Sequence, residues 1–121
     1  MKNILVVDDE MVLRMLIVDS LEDLNHTIDE AESGLEALEK ISAKKYDVII
    51  LDYMMPELTG IEVLERIDKA RINDAVIIML TAKTQEKDQQ QAKAAGVDIF
   101  MKKPFSPMAL YHLVEELIND R

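Results

Sequence analysis

The chain has 121 residues, 49% of them hydrophobic, and 24 Asp and Glu against 14 Lys and Arg give a formal net charge of −10. That length suits one domain with a real core, and the acidic balance argues against direct nucleic-acid binding and against docking on an anionic membrane, while favouring cationic or metal partners. There is no cysteine, which excludes disulfides and thiolate metal sites; the apolar run after Met1-Lys2-Asn3 is too short for a signal peptide and no stretch is long enough to span a bilayer, so the expected compartment is the cytoplasm.

Short apolar runs alternate with helical patterns five times. A first strand is predicted over residues 3–7, where Ile4-Leu5-Val6-Val7 runs straight into Asp8-Asp9-Glu10. Leu13, Leu16, Ile17, Leu21 and Leu24 then repeat with helical period. His26 falls in the loop before a second strand over 27–31, and Gly34 opens the second helical region. The third strand, 48–51, is continuously apolar and runs into Asp52; Thr59-Gly60 opens the third helix. The fourth strand, 76–80, is apolar throughout and ends at Thr81. Residues 85–95 offer only small or polar side chains, which fits a solvated surface helix or a mobile element equally well. The fifth strand, 98–101, carries Phe100 and runs into Lys102-Lys103-Pro104. Ser106 as N-cap and Pro107 at the first helical position open the last helix, with Leu110, Leu113, Val114, Leu117 and Ile118 on one face.

Two continuously apolar central strands mean a sheet covered on both faces. The predicted fold is α/β: a doubly wound (βα)5, flavodoxin-like domain around a five-stranded parallel sheet. It is expected to fill residues 1–121, with no output domain attached.

Strands ending in acid twice and in Lys-Pro once point to one pocket at the carboxyl edge of that sheet, where open α/β folds place their chemistry. Two carboxylates about 4 Å apart repel by roughly 4 kcal/mol at an effective dielectric of 20. Holding Asp8, Asp9 and Asp52 together is favourable only with a cation, and all-oxygen ligands suit Mg²⁺ or Mn²⁺. Singly, each Asp reads as an ordinary loop residue, and Asp9 as a helix N-cap. Lys103 would bring a point charge suited to a phosphoryl oxygen, whereas Lys102 should be solvated by strand alternation. A cis Lys103–Pro104 bond would aim the amine inward. Thr81 could donate its hydroxyl to a phosphoryl oxygen. The assembled chemistry is phosphoryl transfer to a carboxylate, with Asp52 the best nucleophile and Asp8-Asp9 a metal-holding pair.

Taken in order, Ile4-Leu5-Val6-Val7-Asp8-Asp9-Glu10, Asp52-Tyr53-Met54-Met55-Pro56 with Thr59-Gly60, Thr81-Ala82, Ala95-Gly96-Val97-Asp98 and Phe100-Met101-Lys102-Lys103-Pro104-Phe105 resemble the receiver domain of bacterial two-component response regulators, the chemotaxis-regulator-like family. The resemblance runs from Lys2 to about Ile118. It implies that Asp52 accepts a phosphoryl group from a histidine of a sensor kinase or phosphotransfer protein. It implies Mg²⁺ on Asp9, Asp52 and the backbone carbonyl of Met54, with Asp8 acting through water. Lys103 would contact the phosphoryl group, while Thr81 and Phe100 would be the switch pair that alters the surface of the fourth helix, fifth strand and fifth helix. Kinase docking is expected on the first helix (Met11, Arg14, Met15, Val18).

Departures from the family pattern also carry information. Phe100 stands where Tyr is commoner, and simple core filling is its plainer role. The positions that form an acid–arginine dimer pair in winged-helix transcription regulators are Ala109 and Leu113, so a monomer or weak dimer is expected. Met54 and Lys83, which border the attacking water's path in the family, are poor general bases, which predicts a phosphoryl lifetime of minutes or longer. A phosphatase would need a second carboxylate where Met54 stands, so no turnover of an external substrate is expected. A flavodoxin-like cofactor binder would need a phosphate-cradling loop where Asp8-Asp9-Glu10 stands. His26 and His112 read as surface or packing residues. The remaining alternatives are a receiver-like structural module without phosphotransfer and a receiver segment of a longer regulator.

Overall fold

The computed structural model describes residues 1–82 and 86–119. Five strands, β1 (Asn3–Val7), β2 (Thr27–Ala31), β3 (Val48–Asp52), β4 (Val76–Thr81) and β5 (Ile99–Lys102), alternate with five helices. These are α1 (Met11–Leu21), α2 (Gly34–Ala43), α3 (Gly60–Arg66), α4 (Glu86–Ala95) and α5 (Pro107–Asn119). All ladders are parallel and the strand order is β2-β1-β3-β4-β5. Parallel strands demand crossovers, and the alternation of inward side chains along β1, β3 and β4 splits the core in two. Leu5, Val7, Ile49, Leu51, Ile77 and Met79 face α2, α3 and α4. Ile4, Val6, Ile50, Ile78 and Leu80 face α1 and α5. Both faces of β3 are buried, as its unbroken apolar run predicts.

The helix starts follow capping chemistry. Ser33 Oγ accepts from the Glu36 N–H (3.1 Å) ahead of α2, and Thr59 with Glu62 forms a reciprocal capping box ahead of α3. Ser106 Oγ accepts from the Ala109 N–H (3.2 Å), the predicted cap of α5. The Lys69 ammonium donates to the carbonyls of Ala95 (2.9 Å) and Leu64 (3.4 Å), joining the C-terminal ends of α4 and α3.

Strand boundaries shift by one residue at four ends, those of β3 and β4 and both of β5, which runs Ile99–Lys102. Asp52 and Thr81 belong to β3 and β4, so both site side chains sit on the sheet itself. Asp98 lies before β5, where its N–H and carboxylate both pair with the Ile77 backbone. In α1 the buried residues are Ile17 and Leu21, one i, i+4 pair; Leu16 points outward, and Leu24 falls in a 3-10 turn beyond the helix. The helical period is right, but the stripe facing the sheet is narrower than the leucine repeat suggests. In α4 only Ala92 and Ala95 are buried. Lys83 and Gln85 lie outside the described residues.

Candidate functional site

β1 and β3 are neighbours whose following connections run to opposite faces of the sheet, which opens a crevice at their carboxyl ends. Asp8 follows β1 directly and Asp52 ends β3. Carboxylate oxygens of Asp8, Asp9 and Asp52 lie within 4.8 Å of one another. Asp8 is fully buried, Asp52 is 2% exposed, and Asp9 is open to solvent. Thr81 ends the adjacent β4 and is 4% exposed. The Lys103 N–H donates to the Thr81 carbonyl (2.9 Å), which brings the lysine to the same edge. Its ammonium then reaches Asp52 Oδ1 at 2.8 Å. The Lys103–Pro104 bond is cis, and Lys102 is exposed.

The backbone of Asp8 is tied on every side. Its N–H donates to the Ala31 carbonyl (3.1 Å) and its carbonyl accepts from Arg14 Nη1 (2.8 Å). Its Oδ1 accepts from the Glu10 N–H (2.9 Å). The helix-capping role open to Asp9 therefore falls to its neighbour: Glu10 occupies the N-cap position without a side-chain cap, and Asp8 takes the N–H. Asp8 Oδ2 is buried and has no hydrogen-bond partner among the described residues.

Burial pushes the Asp8 carboxyl up to about 6, and the negative Asp52 and Asp9 add to the rise against the Glu10 N–H and Lys103. Asp52 is also raised, again chiefly by burial, although Lys103 and the Met54 N–H pull it down. A buried carboxylate oxygen without a donor, beside two more carboxylates, is an arrangement that a hard divalent cation would relieve. The donor set therefore fits Mg²⁺.

Of the other expected residues, Met54 borders this cluster and Phe100 lies on the α4 side of the core. Met54 touches Asp52 through its backbone N–H, and its side chain is 58% exposed. Phe100 is half-buried against the α2–α4 side of the core and lines a cleft of about 350 Å³ with Glu86, Gln89, Gln90 and Lys93 of α4. Gly60 has a larger part than opening a helix: a Cβ there would stand 2.6 Å from the Asp52 carbonyl oxygen, so α3 approaches Asp52 as closely as only glycine permits. The resemblance gives Arg14 a docking role alone, and helical periodicity does not show which acceptor a long side chain reaches.

A strand order of 2-1-3-4-5 with an acid triad and a lysine at one edge is matched by a known family. The response regulator receiver domain family matches residues 4–115. The chain belongs to that family. Over 116 residues the receiver is 46% identical to the transcriptional regulatory protein ResD of Bacillus subtilis, covering 96% of this chain and 48% of ResD. It is 41% identical over 110 residues to the phosphate regulon transcriptional regulatory protein PhoB of Pseudomonas aeruginosa, covering 90% and 48% respectively. Among solved structures, the chemotaxis protein CheY4 of Vibrio cholerae superposes with a TM-score of 0.88 at 32% identity, covering 97% of this chain and 98% of that one. The receiver thus spans about half the length of the curated relatives it matches, and 98% of the solved chemotaxis chain.

Proposed function

We propose that the domain accepts a phosphoryl group on Asp52 from a phosphohistidine of a sensor kinase or phosphotransfer protein, and that this event switches a protein-binding surface. The observation that carries the reading is the convergence of Asp8, Asp9, Asp52 and Lys103, with Asp8 Oδ2 buried and unpartnered. In the transfer, an Asp52 carboxylate oxygen attacks phosphorus and the P–N bond to the donor imidazole breaks. The Lys103 ammonium, 2.8 Å from Asp52, moves little to meet a phosphoryl oxygen. The Thr81 hydroxyl stands at the neighbouring strand end to donate to another. Asp8, Asp9, Asp52 and the Met54 carbonyl would hold Mg²⁺. When bound, the cation supplies positive charge against the carboxylates and the phosphoryl oxygens. No turnover of an external substrate is expected, since Met54 stands where a second acid/base would be needed.

The donor's docking surface is read from α1. Met11, Val12, Met15 and Leu16 are exposed there, and a cleft of about 430 Å³ lined by Leu13, Leu16, Pro104 and Phe105 opens beside Lys103. A helix presenting apolar side chains at i, i+3, i+4 spacing would fit that surface. Among the described residues, no helix is long and apolar enough to cross a membrane.

A second reading has one observation behind it: the chain covers 48% of each transcriptional relative. On that reading the domain is the receiver segment of a longer transcriptional regulator, and contact with nucleic acid belongs to the remainder. The net charge of −10 keeps the receiver itself away from DNA.

Intact mass after incubation with Mg²⁺ and acetyl phosphate tests the main reading. Wild type should gain one phosphoryl group and Asp52→Asn none. No gain in wild type, from acetyl phosphate or from a kinase, would leave a structural module without phosphotransfer.

A further inference from the structure

Arg14 has a second task that docking does not account for. Its guanidinium bridges two elements: Nη1 donates to the Asp8 carbonyl (2.8 Å), and Nε pairs with Glu30 Oε1 (3.0 Å) on β2. The side chain is 12% exposed, so the charge is largely withdrawn from water. A guanidinium can serve two acceptors in fixed directions at once, which an ammonium on a flexible stem cannot. Asp8 makes three other ties, through its N–H to Ala31, its Oδ1 to Glu10 and its chain continuation into α1. The Asp8 carbonyl lies in the peptide plane that joins Asp8 to Asp9, so holding it fixes the turn through which the two acids leave β1, and among the described residues Arg14 is the side chain that holds it.

We propose that Arg14 is a positioning residue of the acid site: anchored by Glu30, it fixes the Asp8 carbonyl, and with it the Asp8–Asp9 peptide plane that sets the two carboxylates around the place where a divalent cation would bind. The inference rests on the cation-dependent reading above and adds to it a residue that touches neither cation nor phosphoryl group. It also makes α1 serve two purposes. Its outer face presents Met11, Val12 and Met15 to a partner, while its inner edge sets the acid pair. The plain competing role is a helix-to-strand tie that supports packing alone. The two roles differ in what they leave to a folded protein. A packing tie changes the melting temperature of the cation-free domain and leaves its Mg²⁺ affinity unchanged. A positioning residue changes the affinity of protein that is still fully folded.

The test is a calorimetric titration with Mg²⁺ on wild type, Arg14→Met, Arg14→Lys and Glu30→Gln. Circular dichroism and melting in EDTA establish that each variant is folded. Arg14→Met keeps the apolar stem and removes every donor, and Mg²⁺ affinity should fall about tenfold or more. Arg14→Lys keeps one cationic donor and should recover part of the loss. Glu30→Gln alters an exposed side chain, removes the charge that anchors Arg14 and should weaken Mg²⁺ measurably, though by less than Arg14→Met. Folded Arg14→Met with wild-type affinity overturns the proposal while leaving the phosphoacceptor reading intact. If Arg14→Met fails to fold, Glu30→Gln decides, and unchanged affinity there overturns it. A wild type that binds no Mg²⁺ removes the reading beneath and the inference together.

Discussion

The two oxygens of one carboxylate have opposite fates in Asp8: Oδ1 is satisfied by the Glu10 N–H, and Oδ2 is buried with no donor. The second oxygen costs stability in the cation-free domain and is where a cation gains most. Asp8→Asn should therefore raise the stability of the domain in EDTA at pH 7, by about 1–3 kcal/mol, and weaken Mg²⁺. Urea melts beside a Mg²⁺ titration check both halves, and a variant that loses stability in EDTA would contradict the account. Met54 bears on lifetime. With an exposed apolar side chain and its backbone N–H on Asp52, it offers no base to an attacking water. The acyl phosphate on Asp52 should persist for minutes or longer, measured by the decay of the phosphorylated mass; decay within seconds would sink this. At this scale the identities of Asp8, Asp9, Asp52, Thr81 and Lys103 were legible in the sequence, because each ends or follows a recognisable strand. What Arg14 and Glu30 do was not legible, because it depends on where two long side chains meet across separate elements.

The elements show why strand ends were easier to read than helix faces. Burial on both sides makes β3 and β4 unmistakable, since every position must be apolar. In α1 the leucine repeat overstates the buried stripe, because Leu16 belongs to an exposed apolar patch and the sequence records hydrophobicity without recording what covers it. The first turn of α3 is equally hidden, since the meaning of Gly60 lies in its distance to Asp52. Gly60→Ala should cost about 1–3 kcal/mol of stability, as overpacking does. It should also slow phosphorylation, because the Cβ would press on the Asp52 carbonyl oxygen and on Met79. Chemical denaturation and acetyl phosphate kinetics would show it, and an unperturbed variant would mean that α3 gives way freely. In α4, two buried alanines stand against three large apolar residues, Leu110, Val114 and Ile118, in α5. Amide hydrogen exchange should accordingly be faster in α4 than in α5; equal protection would count against a weakly held helix.

For the whole molecule, the acid site couples folding to pH, and a bound cation would join that coupling. Asp8 moves from 3.8 in a model peptide to about 6, and Asp52 moves the same way. The folded, cation-free domain thus holds protons that the unfolded chain releases. That stability is present below about 4 and is lost as pH rises through about 6. Asp29 acts in the opposite sense: burial raises it, but hydrogen bonds from Lys44 and Tyr46 outweigh burial and hold it low, so its contribution is lost as pH falls through the carboxylate range. In EDTA the melting temperature should rise as pH is lowered from 7 to 5. With Mg²⁺ the order reverses, because protons compete for Asp8, and the increment due to Mg²⁺ should shrink over the same interval. A constant increment would show that Asp8 takes no part in holding the cation. The doubly wound architecture and strand order follow from alternation and burial, and so were legible at once; this electrostatic coupling needed distances and depth.

The Lys69 ammonium grips the last carbonyl region of α4, and little apolar surface holds the rest of that helix. In mechanical terms α4 is built like a cantilever, held at Ala95 with Glu86 at its far end. Ten residues at 1.5 Å each give it a reach of about 15 Å. A tilt at the clamp is therefore smallest beside α3 and largest at the end nearer Thr81, and Phe100, whose cleft is lined by α4 residues, lies along the beam where the deflection can be felt.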